Sequence, residues 1–361
     1  MTKIALLTDT HYGTRKASPI FYDYFARCFD QFFDYLEKED IKHVIHLGDL
    51  FDNAKAINVL TAQRCREDFL EPLEKMEIDT HIILGNHDVF FKNTNDTSSP
   101  NEFVGDHYKH IRIYSEPEVI TIGGTKIQLL PWIPRTNIYD ADILNVIAKS
   151  PADIMMSHLE LSGFEMYKGS VCDHGMDRSL FNRYDVVCSG HFHHKSAIGN
   201  INYLGAFAEF SWSDHRDPRG FHIFDTDDRS LTFIQNEESI FMMISFDDRK
   251  EDIVDFVNNF DYRSVKNKYV KVVVSSSKKN PYAFDQFIDR LYNETPIDVA
   301  VIEDIESFTE DNPDGVIDET EDTPSILSKY IDGLTLPVDG AKMKSFMKEV
   351  YAEAIMQDKA L

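Results

Sequence analysis

The chain has 361 residues, 42% hydrophobic and 12% aromatic, enough for a full core and two domains, so disordered and fibrous classes are excluded. Thirty-seven basic residues against 62 acidic ones leave a formal charge of −25, which repels polyanions at long range and constrains any reading that involves nucleic acid. No apolar run reaches the roughly 18 residues of a membrane span, and Ile4-Ala5-Leu6-Leu7 passes directly into Thr8-Asp9 without a signal-peptide pattern, so a cytoplasmic protein without a membrane partner is expected.

In chain order, residues 4–7, 44–47, 80–84, 127–130, 154–156 and 186–188 are short apolar runs that read as strands, and 21–39 has the spacing of an amphipathic helix. Alternation of strands and helices implies an α/β layered core over residues 1–240. Strands at 195–201, 220–225 and 231–235 follow one another with only turns between, so the sheets become partly antiparallel there. Cys28, Cys65, Cys172 and Cys188 are scattered and form no CxxC pair, which argues against a disulfide framework and a thiolate zinc site.

After Ser239 the texture changes. A helix over 247–260, a strand over 269–275, a helix over 282–292 and a strand over 298–302 predict a small α+β domain, residues 241–302. Between residues 263 and 290 Arg263, Lys266, Lys268, Lys271, Lys278, Lys279 and Arg290 meet only Asp285 and Asp289, giving either a phosphate-contacting face or ordinary solvated lysines. Residues 303–322 then carry ten acids and no Lys or Arg, the composition of a solvated linker, assigned as 303–324. The segment 325–361 predicts two short helices. In the second, Met343, Phe346, Met347, Val350, Tyr351 and Ile355 form an apolar stripe suited to a groove on a partner protein, with docking back on the second domain as the plainer alternative.

Five short motifs follow apolar runs, at strand ends where α/β sheets present ligand groups. They are Asp9-Thr10-His11, Gly48-Asp49-Leu50-Phe51-Asp52, Gly85-Asn86-His87-Asp88, Ser157-His158 and Gly190-His191-Phe192-His193. Each alone is weak, since a lone His is more often structural and an Asp after Gly is more often a turn residue. Together they offer oxygen and imidazole donors without thiolate, a set that suits manganese, iron, zinc or magnesium. Asp-x-His and His-x-His in extended chain point alternate side chains to one place. Asp49 has two oxygens and can bridge. Seven donors are too many for one ion and suit two, which about 3.5–4 Å apart would clamp a phosphate and activate water.

As an ordered five-part signature over about residues 1–235, these motifs resemble the calcineurin-like metallophosphoesterase superfamily. Tyr203-Leu204-Gly205-Ala206-Phe207 with Gly220-Phe221-His222 resembles its narrower SbcD-type branch, the nuclease subunit of bacterial and T-even phage recombination and double-strand-break repair complexes. The resemblance implies a layered metallophosphoesterase β-sandwich flanked by helices, a small α+β capping domain that shapes DNA access, and C-terminal helices that dock on a coiled-coil ATPase of the SbcC type. It implies that Asp9, His11, Asp49 and His193 hold one divalent ion and Asp49, Asn86, His158 and His191 the other, manganese first with magnesium as the alternative. His87 would act on the scissile phosphate, stabilising charge or protonating the leaving oxygen. Archaeal and eukaryotic relatives carry a second active-site His where this chain has Asp52. Asp88 is expected to position a loop or ligand, His46 and His194 to be structural, and His174 is unassigned surface. Double-stranded DNA ends, an ATPase subunit and a second copy of the chain are the partners implied. A same-fold enzyme for a small nucleotide or phosphoprotein, favoured by the acidity, and an inactive scaffold that recruits the ATPase are the competing readings.

Overall fold

The computed structural model describes residues 2–302, apart from 135, 138, 168–169, 248–252 and 275–279, together with 331, 342–344 and 347. The acidic stretch 303–324, most of the segment 325–361, and Lys278 and Lys279 lie outside the described residues. The chain divides into two units, Met1–Glu209 with Asp217–Glu238, and Phe210–Arg216 with Ser239–Leu361.

The first unit holds β1 (Lys3–Leu7), β2 (His43–His46), β3 (Asp79–Ile83), β4 (Ile111–Tyr114), β5 (Glu118–Ile122), β6 (Thr125–Leu130), β7 (Ile154–His158), β8 (Glu165–Tyr167), β9 (Ser170–Val171), β10 (Val186–Gly190), β11 (Ser196–Ile198), β12 (Ile201–Tyr203), β13 (Gly220–Asp225) and β14 (Leu231–Gln235). They form two six-stranded sheets, ordered β14-β13-β1-β2-β3-β4 and β11-β12-β10-β7-β6-β5. Within the first sheet β1 to β4 run parallel, and within the second β6, β7, β10 and β12 do. The antiparallel additions are β13 and β14 at one edge and the β5–β6 and β11–β12 pairs.

The sheets face each other. Ile4, Leu6, Ile45, Leu47 and Ile83 of the first interleave with Ile127, Leu129, Ile154, Met156 and Cys188 of the second in one buried cluster. The period-two alternation of strands sends Met155 and Val187 to the opposite face, where they pack with Ile147 of the helix Ala141–Lys149 and with Phe181 and Tyr184. Strands covered on both faces read as continuous apolar runs, which is why these were conspicuous in the sequence. On the outside of the first sheet lies the helix Pro19–Lys38, started by Ser18 and a proline in its first turn; it buries Phe21, Phe25, Phe29, Phe32 and Leu36 along one stripe. Phe29 stacks on Phe207 with centroids 4.5 Å apart, and Phe32 meets Phe221 of β13 edge-on at 4.9 Å.

Some details differ from the sequence reading. Residues 195–201 are not one strand but the start of a hairpin, β11–β12, turning at Gly199 with φ +63°. β4 and β5 were not anticipated, because β4 is half exposed and its Arg112 interrupts the apolar pattern.

In the second unit β15 (Phe241–Phe246), β16 (Tyr269–Val274) and β17 (Asp298–Ile302) form a parallel sheet in that order. Helices Ile253–Asn259 and Pro281–Asn293 cover it, with Phe246, Phe256, Phe284 and Phe287 in the core. Residues 241–246, ahead of the expected helix, are thus a strand. Lys271 does not belong to the basic surface: it is fully buried, with Nζ 4.2 Å above the Trp212 ring. Arg290 is half-buried and donates to the Val257 carbonyl at 2.9 Å.

Phe29→Ala removes a fully buried ring from the stack on Phe207. The expected cost is about 3–5 kcal/mol, read as a lower urea midpoint at unchanged slope.

Candidate metal centre

β1, β2 and β3 in one sheet and β7 and β10 in the other end at the same edge of the sandwich, so the five motifs meet there. The loops after β1 and β2 are tied by a backbone ladder: Asp9 N donates to Gly48 O at 3.0 Å, His11 N to Asp49 O at 3.1 Å and Tyr12 N to Leu50 O at 2.9 Å. Two motif glycines are there because of close approach. A Cβ on Gly85 would stand 2.1 Å from Asp49 Oδ1, and one on Gly190 would stand 2.1 Å from Thr8 Oγ1. Asp9, His11, Asp49 and His191 all sit at positive φ, at 51°, 45°, 57° and 89°. Four left-handed non-glycine residues in one site are backbone strain held by the surrounding structure, a pattern found where side chains must be aimed.

The aimed groups form two sets. His11 Nε2 lies 3.0 Å from His193 Nε2, 3.8 Å from Asp9 Oδ1 and 3.7 Å from Asp49 Oδ2. His158 Nε2 lies 3.1 Å from Asn86 Oδ1 and 3.5 Å from Asp49 Oδ2, and His191 Nδ1 lies 2.8 Å from the same Asn86 oxygen. Asp49 is common to both. His158 Nδ1 faces the Leu47 carbonyl at 2.7 Å and must donate to it, which leaves Nε2 as the nitrogen that faces the site. Asp9 is oriented by Thr8 Oγ1, which donates at 2.7 Å, and by the His191 amide at 3.1 Å.

Supporting contacts explain the remaining motif residues. Asp88 accepts from the amides of Gly85 at 2.9 Å, Phe51 at 3.0 Å and Leu50 at 3.3 Å, pinning the β2 and β3 loops together. His87 donates its amide to Asp49 Oδ1 at 2.8 Å, and its Nδ1 faces the Asp52 carbonyl at 2.7 Å, so Nε2 is the outward nitrogen. Asp52 thus anchors His87 through its backbone, while its side chain, 3.6 Å from His11 Nδ1, is partly exposed. His46 accepts from Gly48 N at 3.2 Å and pairs with Thr10 Oγ1 at 3.0 Å, and His194 pairs with Asp217 at 3.0 Å. Glu160 was missed in the sequence. It lies two residues past His158, 3.7 Å from His191 Nε2 and 2.8 Å from His174 Nε2, so His174 is not idle surface. The third polar group beside them, Cys172, donates its thiol to the His174 carbonyl.

The electrostatics call for cations. Burial pushes the Asp9 carboxyl up to about 7, with His158 opposing and the Asp49 charge adding to the rise. Burial pushes on Asp49 too, yet His158 and then His87 hold it well below the usual carboxylate range. Burial alone would depress His158, but Asp49 outweighs it and lifts the imidazole to about 9. Burial takes His193 down to about 3 and keeps His11 well below its ordinary range, so both present neutral nitrogens. Two buried carboxylates among inward-facing imidazoles thus recruit protons as the positive charge this space requires. Divalent ions satisfy the same requirement with the same donors, so the residues fit the metals the motifs imply.

A profile of the calcineurin-like phosphoesterase family matches residues 2–195. The chain belongs to the calcineurin-like phosphoesterase family. It is therefore a metal-dependent phosphoester hydrolase with the mixed α/β fold of that family. Enterobacteria phage T4 has a relative named exonuclease subunit 1, 28% identical over 354 residues, covering 98% of this chain and 99% of that protein. The SbcD subunit of the nuclease SbcCD from Staphylococcus saprophyticus is 24% identical over 264 residues, 64% of this chain and 67% of that one. A solved archaeal phosphodiesterase covers 65% of this chain and 99% of its own at 14% identity and a TM-score of 0.34, a likeness too low to carry an argument. Among the described residues no helix is long and apolar enough to cross a membrane.

If Asp9 and His158 hold divalent ions, binding those ions must displace their protons. Lowering the pH from 8 to 6 passes through the Asp9 value of about 7, so calorimetric Mn2+ affinity is expected to fall about tenfold through this group alone, with further loss through His158.

Proposed function

We propose that the chain is a manganese-dependent DNA endo/exonuclease subunit of a recombination and double-strand-break repair complex, working in the cytoplasm on double-stranded DNA ends. The observation that carries this is the pair of donor sets sharing Asp49 at one edge of the sandwich, in a chain 98% of which aligns with a phage exonuclease subunit. In this reading Asp9, His11, Asp49 and His193 hold one ion, and Asp49, Asn86, His158 and His191 the other. When bound, two such ions neutralise phosphate charge and supply an activated water.

The chain's own residues do the rest. His87 presents Nε2 outward because Asp52 O holds Nδ1, which suits it to stabilise charge on the scissile phosphate or deliver a proton to the leaving oxygen. The α+β unit of residues 241–302 shapes DNA access. Both relatives are named as subunits, which supports a partner, here a coiled-coil ATPase of the SbcC type engaged by residues 325–361, with two copies of this chain per assembly. All four cysteines are buried thiols, in keeping with a reducing compartment. The charge of −25 favours the second reading, a phosphodiesterase for a small nucleotide or a phosphoprotein.

End-labelled linear duplex DNA with Mn2+, alone and with the cognate ATPase, separates the two readings. Degradation that the ATPase enhances is expected; turnover of a simple aryl phosphodiester without DNA cleavage would shift the substrate to the second reading. His87→Ala is expected to lower kcat by about 10²–10⁴-fold on either substrate at unchanged Mn2+ stoichiometry, since its amide still orients Asp49. Undiminished kcat would remove His87 from the reaction.

A further inference from the structure

Beside the metal centre lies a cavity of about 190 Å3 that no step above uses. It is smaller than the roughly 300–1,000 Å3 that holds drug-sized ligands, and its size suits one flat heterocycle. Trp132, Ile133, Leu159 and Met176 supply apolar walls, Glu160 and His174 a polar end, and His158 borders it on the metal side. The walls are fixed. Asn95 Nδ2 donates to the Trp132 carbonyl at 2.9 Å, Met176 N donates to Glu160 O at 2.9 Å, and Gly175, at φ +95°, packs so closely that a Cβ would stand 2.4 Å from Glu160 O. Lys92 stands at the Trp132 side, its Nζ 5.7 Å from the indole centroid and bonded to the Asn86 carbonyl, a cation between the cavity and the metal ligands.

We propose that this cavity binds the nucleobase of the nucleotide whose phosphate is being hydrolysed, and that Glu160 selects bases carrying an exocyclic amino group. The proposal rests on the nuclease reading and deepens it. An indole, a thioether and aliphatic walls match the faces of a base, as stacking surfaces do in single-strand binders. The Glu160 side chain is mostly buried, and His174 Nε2 holds it at 2.8 Å. As a carboxylate it only accepts hydrogen bonds, so it complements the exocyclic amino groups of adenine, cytosine and guanine, whereas thymine offers no amino group and flanks its one N3–H donor with two carbonyl oxygens that a carboxylate repels. His158 Nε2, 3.1 Å from Asn86 Oδ1, places the cavity one side chain away from the proposed second ion, close enough for a base and its own phosphate to be held together.

The test uses the full chain with Mn2+ and the 5′-(p-nitrophenyl) phosphates of deoxyadenosine, deoxycytidine, deoxyguanosine and thymidine. Methyl p-nitrophenyl phosphate serves as a base-free control and linear duplex DNA as the reference substrate. The expected result is a kcat/KM for thymidine at least about tenfold below the other three, the size of a missed base-edge contact. Glu160→Gln, whose amide donates as well as accepts, is expected to narrow that gap severalfold. A residue that acts only through His191 would scale all five esters by one factor instead, and that outcome overturns the proposal. So does DNA cleavage with equal rates for the four bases in the unaltered protein, which requires no variant to fold. Hydrolysis of the base-free ester without turnover of DNA or any nucleotide ester overturns the nuclease reading and the pocket together.

Discussion

Asp49 is the constraint on which the rest of the site depends. Its carboxylate is buried, takes the His87 amide on one oxygen, and turns the other toward His158 at 3.5 Å and His11 at 3.7 Å. A buried carboxylate in this position is costly unless positive charge lies on both sides of it. The backbone places it at φ 57°, and Gly85 leaves out the side chain that would otherwise occupy its space. Five loops from two sheets close around this one group.

That dependence explains why the surrounding contacts are so interlocked. Asp88 gathers three amides from the β2 and β3 loops, the β1 and β2 loops share a backbone ladder, and His158 is fixed by the Leu47 carbonyl. Each contact sets an angle or a tautomer at a candidate donor, the role that outer-shell partners have at metal sites. The sandwich supplies rigidity, since the strands that carry the motifs are packed on both faces. The strain of four left-handed residues is sustained by that packing.

Much of this was legible in the sequence because two signals coincided. Runs such as 4–7, 44–47 and 154–156 marked strands buried on both sides, and each was followed at once by polar groups with metal chemistry. Ordered spacing then identified the donors that the fold brings together. Less legible were residues whose part comes from tertiary contact. Glu160 follows His158 by two residues, but nothing in the local sequence shows that it reaches His174 and the neighbourhood of His191. Asp52 contributes a carbonyl, which any residue has. Lys271 looked like a surface charge because the Trp212 ring that covers it is 59 positions away in sequence. The half-exposed β4 has no strong periodicity to read.

The acidity of the chain and the chemistry of its site are reconciled at the same place. Asp9 and His158 draw protons in where the fold concentrates carboxylate and imidazole groups, and divalent ions would meet that demand while creating a local positive field for a phosphate. The central claim is therefore one shared centre, not two separate ones. Electron paramagnetic resonance of the protein with two equivalents of Mn2+ tests it most directly. A spin-coupled dimanganese spectrum that collapses to an uncoupled signal in Asp49→Asn is the expected result; two independent mononuclear signals in the unaltered protein would contradict a bridging Asp49.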